Sequence, residues 1–204
     1  TTNSTQSYVP RRELGITNSI TVSNALLIAT LSKFQPVFPP LNTAVISSKR
    51  GDIKLHKKIS TLPKKGIILE PLCGKIFGPE DHHLLTEKHG NLVGLDCSWK
   101  QIEQSVNTVM KRTRLIPRML PLFLAANPVN WGKPGKLTTI EALAAATYLI
   151  GNNQQAFDLL GGFRWGHRFI ELNQEPLDEY SLAKSSKELV ELQFEYFDLE
   201  HLRE

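Results

Sequence analysis

Three short, unbroken apolar runs constrain this chain more than any other feature: GIILE at 66–70, NLVGLD at 91–96 and LPLFLAA at 120–126. A strand with one wet face alternates apolar and polar residues. A run that does not alternate, and is too short for a helix, fits a strand covered on both faces. Helical patterns separate the runs. Pro79 suits the first position of a helix over 79–88. Ser98 and Gln101 form a capping box ahead of a helix over 99–112, where Trp99, Ile102, Val106, Val109 and Met110 make an apolar side. Covered strands alternating with helices predict an α/β fold with a mainly parallel sheet. At the front, Ser23 is placed to cap a helix reaching Phe34, ended by Pro36, Pro39 and Pro40, and TAVISS at 43–48 reads as a further strand. Beyond 139 no strand pattern remains; helices are expected at 139–150, 152–160, 166–173 and 186–202. The chain therefore divides into an α/β basic subdomain over 1–120 and a mainly helical subdomain over 121–204.

At 204 residues with 41% hydrophobic content, a core is attainable without disulfides. Cys73 and Cys97 match no metal-ligand spacing, so no metal is expected and a reduced, cytoplasmic setting is. No apolar run reaches the length of a membrane-spanning helix, and the polar start TTNSTQSYVP has no signal-peptide core. Charge is uneven. Residues 1–120 carry 17 Lys and Arg against 8 Asp and Glu, whereas residues 121–204 carry 7 against 12. A basic front half predicts a polyanionic partner, nucleic acid first, although a solvated lysine-rich surface gives the same count. Lys49, Arg50, Lys54, Lys57 and Lys58, with Lys111, Arg112, Arg114 and Arg118, are the expected phosphate contacts. The adjacent His82 and His83 suit no helical metal pair and read as surface residues.

The stretch AANPVNWGKPGKLTT joins the third apolar run to a helix. Thr138 and Glu141 form a capping box for that helix, and Gly151 is placed to end it. In open α/β sheets, ligands bind where strand ends meet helix beginnings, and a helix N-terminus suits a carboxylate or phosphate. Gly132 and Gly135 permit close backbone approach, and Pro128 and Pro134 stiffen the loop. The plainer alternative is a tight turn with Trp131 plugging the core. The loop is neither Gly-x-Gly-x-x-Gly nor a P-loop.

LDCSW at 95–99, RMLPLFLAANPVNWGKPGKLTTIEALAAATYLIG at 118–151 and FRWGHRFIELN at 163–173, with GIILEP at 66–71, GPED at 78–81, Leu177 and Tyr180, closely resemble the small-subunit rRNA aminocarboxypropyltransferases of ribosome biogenesis. The resemblance covers about residues 64–182. It fails at the front, where family members carry Asp-Asp-Pro-Lys-Lys-Cys-Ser/Thr-Gly and this chain has NSITVSNALL; of that motif Ser23 alone aligns, with Thr21 as a rival.

The resemblance implies a fold similar to the knotted RNA methyltransferases, with a C-terminal trefoil knot. It implies transfer of the 3-amino-3-carboxypropyl group of S-adenosylmethionine to N3 of a uridine- or pseudouridine-type base in small-subunit rRNA. Adenine would sit among Leu69, Pro71, Trp99, Leu120, Leu137 and Ala142, with the backbones of Leu120 and Gly135 reading its edge. Leu95 would hold the ribose, and the Thr139 N–H, with Ser23, the carboxylate. Trp99 and Ile102 would wall off the methyl group. Asp96 and Trp99 are the catalytic candidates, Asp96 orienting the sulfonium or accepting the N3 proton. Glu171 would cap a helix, pair with Arg168 or support the site, and Trp131 would prop the loop. Two alternatives stay open: an RNA methyltransferase on the same fold, and a non-catalytic rRNA-binding assembly factor. No oligomer signal is evident, which leaves the oligomeric state open, a monomer included.

Overall fold

Ile67 and Ile68 are adjacent and both fully buried, which requires a strand covered on its two faces. A computed structural model shows how. It describes residues 27–29, 47, 49–51, 53–56, 58–87, 90–96 and 102–198, with backbone alone at 27–29 and 102–104. Five parallel strands, Leu27–Ala29 (β1), Lys54–His56 (β2), Lys65–Leu69 (β3), Asn91–Leu95 (β4) and Arg114–Arg118 (β5), lie in the order β2-β1-β4-β3-β5. Side chains alternate across the sheet. Ile67, Leu69 and Leu92 enter the larger core, whereas Ile68, Val93, Leu95 and Leu115 enter a smaller one. The smaller core is closed by Val106 and Val109 of the helix Ile102–Met110. Each fully buried isoleucine contributes about 1.5–3 kcal/mol.

Seven α-helices are described: Pro79–Thr86 (α1), Ile102–Met110 (α2), Thr139–Leu149 (α3), Asn153–Leu160 (α4), Gly166–Leu172 (α5), Gln174–Leu182 (α6) and Ser186–Tyr196 (α7). Helix α3 is apolar on nearly every side and buried from Leu143 to Leu149, as a central helix must be. Its Thr138–Glu141 capping box forms, and Gly151 follows its last turn with φ +83°, the left-handed conformation that stops a helix. Phe123 packs on Phe169 and Tyr180 in the same core, which thereby draws on both sides of residue 120.

The structure departs from the sequence reading in five places. Leu27–Ala29, expected in a helix over 23–34, is a strand between β2 and β4, pairing Leu27 with Lys54 and with Val93. Tertiary pairing overrides the helix propensity of a short leucine-rich segment. Ser47, expected in a strand, is helical and buried. The fifth strand is RLIPR at 114–118 and not LPLFLAA at 120–126. Pro117 fits because β5 is an edge strand, where a missing N–H costs no ladder bond. Helix α6 was unforeseen, since Pro176 masks it; Pro176 falls in the first turn, where no intrahelical N–H is needed. Helix α7 stops at Tyr196, with Phe197 extended at φ −132°.

Residues 120–126 alternate between half-buried and buried nonetheless, by an unusual route. Alternate backbone N–H groups are taken by side chains of later elements, and that of Ala125 by Lys133 O. Leu122 donates to Gln193 Oε1 (2.8 Å), Leu124 to Asn173 Oδ1 (2.7 Å) and Ala126 to Glu141 Oε1 (2.7 Å). Asn173, fully buried between α5 and α6, also donates to Leu124 O at 2.9 Å. Apolar burial was legible in this segment. Its place outside the sheet, bridged only at Leu124 to Pro134 among the described residues, was not.

Candidate active site at the carboxyl edge of the sheet

The carboxyl ends of β3, β4 and β5 open into one cavity of about 550 Å³, within the usual range for a small-molecule site. Leu69, Glu70, Pro71 and Leu72 form one wall; Gly94 and Leu95 form the floor; Met119 to Leu122 form a second wall. The third wall is Pro134 to Thr139 with Ala142, so the first turn of α3 faces the cavity. The first N–H groups of a helix have no intrahelical acceptor and carry partial positive charge.

The loop before α3 is held by one buried carboxylate. Glu141 is fully buried and accepts bonds from the N–H groups of Ala126 (2.7 Å), Asn127 (3.0 Å) and Thr138 (2.6 Å). It also accepts from Asn127 Nδ2 and the Thr138 hydroxyl, both at 2.8 Å. The segment between is a hairpin: Ala125 donates to Lys133 O, Gly132 to Ala125 O, and Gly135 to Phe123 O. Gly132 and Gly135 take φ of +72° and +68°, which L side chains rarely adopt. The loop is therefore preformed.

Gly94 shows why the floor lies so close to the helix. A Cβ there would stand 2.7 Å from Thr139 Cγ2. Glycine lets α3 descend until the Thr139 hydroxyl donates to Leu95 O at 3.2 Å. Asp96 follows Leu95 and is half-buried. Burial pushes its carboxyl above the ordinary aspartate range, and a hydrogen bond from Thr139 opposes that in part.

Eight residues expected around the donor line this single cavity: Leu69, Pro71, Leu95, Leu120, Gly135, Leu137, Thr139 and Ala142. Ser23, Trp99 and Lys57 lie outside the described residues, as does the side chain of Ile102. Sequence reasoning missed Glu70, Gly94 and Lys136 as lining residues. A glycine inside an apolar strand is the signal that points to Gly94. Trp131 does not plug the core; it is 54% exposed.

The expected phosphate contacts fall in two groups at opposite sides of the sheet. Lys54 opens β2 and Lys58 follows it, while Lys111 and Arg112 lead into β5 and Arg114 opens it; these strands are opposite edges of the sheet. Four strand spacings separate them, roughly 19 Å. Lys49, Lys54, Lys58, Lys111, Arg112 and Arg114 are exposed. Arg50 is exposed too, but its guanidinium donates to Asp158 O at 2.9 Å, at the end of α4. Arg118 is a correction. It is 9% exposed, and its Nε and Nη2 each donate to the Asp81 carboxylate at 2.7 Å while Nη1 donates to Pro117 O. A buried guanidinium so engaged ties α1 to β5, with three of its five N–H donors spent inside the protein.

Glu171 pairs with Arg168 at 2.7 Å on the surface, one of its expected roles. His82 is half-buried against Phe77, and burial lowers its pKa. No cluster of His, Cys, Asp and Glu able to hold a metal occurs among the described residues.

Residues 67–197 match the family model described as "Ribosome biogenesis protein, C-terminal". The 16S rRNA aminocarboxypropyltransferase of Methanosarcina acetivorans is 47% identical over 143 residues, covering 70% of this chain and 79% of the relative. That of Methanopyrus kandleri is 38% identical over 158 residues, covering 78% and 91%. Among solved structures, the SAM-dependent rRNA:acp-transferase Tsr3 from Vulcanisaeta distributa matches with TM-score 0.68 and 36% identity, over 78% of this chain and 83% of that one. At this identity and coverage, the chain belongs to the ribosome biogenesis protein family that holds the 16S rRNA aminocarboxypropyltransferases.

Proposed function

We propose that this protein transfers the 3-amino-3-carboxypropyl group of S-adenosylmethionine to N3 of a uridine- or pseudouridine-type base in small-subunit rRNA. The carrying observation is the single cavity at the carboxyl edge of the sheet, which gathers residues from four separate segments and ends on a helix N-terminus. Leu69, Pro71, Leu120, Leu137 and Ala142 supply apolar walls suited to adenine. The Leu95 backbone would border the ribose, and the Thr139 N–H, in the first turn of α3, would meet the amino-acid carboxylate. Lys136 adds a positive charge on the same wall.

The base nitrogen attacks the γ-carbon of the methionyl chain. The bond from that carbon to sulfur breaks, its electron pair stays on sulfur, and neutral methylthioadenosine leaves; the N3 proton passes to a carboxylate or to solvent. Methyl transfer would relieve the same sulfonium charge, so the outcome rests on which carbon the walls present. Asp96 supplies a negative charge at the strand end beside Thr139, suited to orient the sulfonium or take the proton.

Incubating the protein with S-adenosylmethionine and unmodified small-subunit rRNA, then identifying the nucleoside by-product by mass spectrometry, tests this. Methylthioadenosine is expected. S-adenosylhomocysteine would make the protein a methyltransferase, and neither product would favour a non-catalytic assembly factor.

Gly94→Ala offers a check on the helix terminus. The added methyl must push Thr139 away from Leu95. A loss of about tenfold in S-adenosylmethionine affinity is expected by calorimetry, beside an overpacking cost of about 1–3 kcal/mol in urea melts. Unchanged affinity would remove Thr139 from the carboxylate role.

The same reading extends to topology, location and organisation. A trefoil knot over the C-terminal part fits residues 120–127, a buried extended segment gripped by α3, the α5–α6 junction and α7, all later in the chain. If knotted, first folding after cell-free synthesis is slower than refolding from urea; equal rates would argue against the knot. The division at residue 120 is then one of roles, a basic half facing RNA and a helical half closing the cavity. No described helix is long and apolar enough to cross a membrane, and we place the reaction in the cytoplasm with a monomer as the working unit.

A further inference from the structure

Trp131 and Val129 stand 54% and 66% exposed at the tip of the 125–135 hairpin. Asn130 N–H donates to Asn127 Oδ1 at 3.0 Å, Lys133 N–H to Asn130 O at 2.9 Å, and Asn127 is itself locked by Glu141. The tip is thus rigid and its aromatic face free of the core. Its charge has one sign: from Ala125 to Thr138 the chain carries Lys133 and Lys136 and no acid. Its base is the cavity wall at Pro134, Gly135 and Lys136. Two residues, Gly132 and Lys133, separate Trp131 from that wall, a span of roughly 11 Å at most.

We infer that the hairpin tip is a stacking platform for an unpaired base of the RNA substrate, with Trp131 under the base and Lys133 at a neighbouring phosphate. This rests on the RNA reading of the cavity. A base that must reach N3 chemistry has its pairing edge exposed, so its neighbours are unpaired or splayed, and single-stranded bases stack on exposed aromatic rings without needing a fixed sequence. A rigid indole loses little freedom on stacking, and a flanking lysine supplies the salt-dependent term. An acidic protein segment would also meet the lysine, but the apolar area at the tip is two side chains, suited to one planar ring and small for a protein interface.

The test measures equilibrium binding of a single-stranded small-subunit rRNA fragment to the full chain without S-adenosylmethionine. W131A is expected to weaken RNA binding roughly 5- to 100-fold. W131F should keep most of the affinity, and K133A should reduce the salt slope by about one. S-adenosylmethionine affinity should stay within twofold in all three. RNA affinity within twofold of wild type in W131A would overturn the platform. So would a parallel loss of S-adenosylmethionine binding, which would make Trp131 a prop of the cavity. Loss of a ribosomal-protein contact with intact RNA binding would overturn it in favour of a protein interface. Methylthioadenosine formation with Trp131-independent RNA binding sinks this inference alone. Trp131-dependent RNA binding without transfer sinks the transferase reading alone.

Discussion

Glu141→Ala is expected to cost at least about 3 kcal/mol of stability and to abolish donor binding, although Glu141 lines no part of the cavity. The carboxylate is fully buried and answers five donors from Ala126, Asn127 and Thr138. Alanine leaves them facing a cavity. Each stranded buried donor costs about 1–3 kcal/mol, and the sum falls short of additive because the loop relaxes. A loss of this size is a large share of a domain's typical stability of about 5–15 kcal/mol. Glu141→Gln should fall between, since one oxygen still accepts while the new amide points donors at donors. Urea melts and calorimetry with S-adenosylmethionine decide it. A Glu141→Ala protein within about 1 kcal/mol of wild type would mean the loop holds itself.

Asp96→Asn should do the reverse: lower turnover at least tenfold and leave thermal stability equal or higher. Folding raises the Asp96 pKa, chiefly by burial. A carboxyl raised in this way contributes stability fully present below its unfolded pKa, near 3.8, and loses it as pH rises through the higher folded value. At neutral pH its ionised form is therefore a burden on the fold, which asparagine removes. The Tm difference between variant and wild type should widen from acid to neutral pH. Kinetics separate the two roles. Proton acceptance predicts an acid limb of kcat above the ordinary carboxylate range, absent in Asp96→Asn. Sulfonium orientation predicts a higher KM for S-adenosylmethionine and no such limb. Turnover within twofold of wild type would deny Asp96 both roles.

What could be read beforehand follows from how local its cause was. GIILE and NLVGLD announced β3 and β4 because a continuous apolar run has one economical use in a small sheet. The capping box at Thr138 was legible because it needs only residues three apart. LPLFLAA was read as a strand because its burial is written in its composition, whereas its partners, Gln193, Asn173 and Glu141, lie in three other elements. RLIPR was passed over because an edge strand can look like a loop. Arg118 was grouped with its basic neighbours, since linear proximity cannot reveal Asp81, 37 residues away. The cavity itself came from resemblance. No periodicity assembles Leu69, Leu95, Leu120 and Leu137 into one wall.

Gln193 carries a consequence for how the protein is made. It grips Leu122, in the cavity wall, from 71 residues further along the chain. Ribosomes extend a chain by about 5–20 residues per second, so the wall segment is synthesised several seconds before its clasp emerges. During that interval the nascent chain holds every cavity-lining residue and still lacks a finished pocket. A premature stop or a protease cut within α7 would spare all of those residues and disable the protein as surely as a lesion in the cavity.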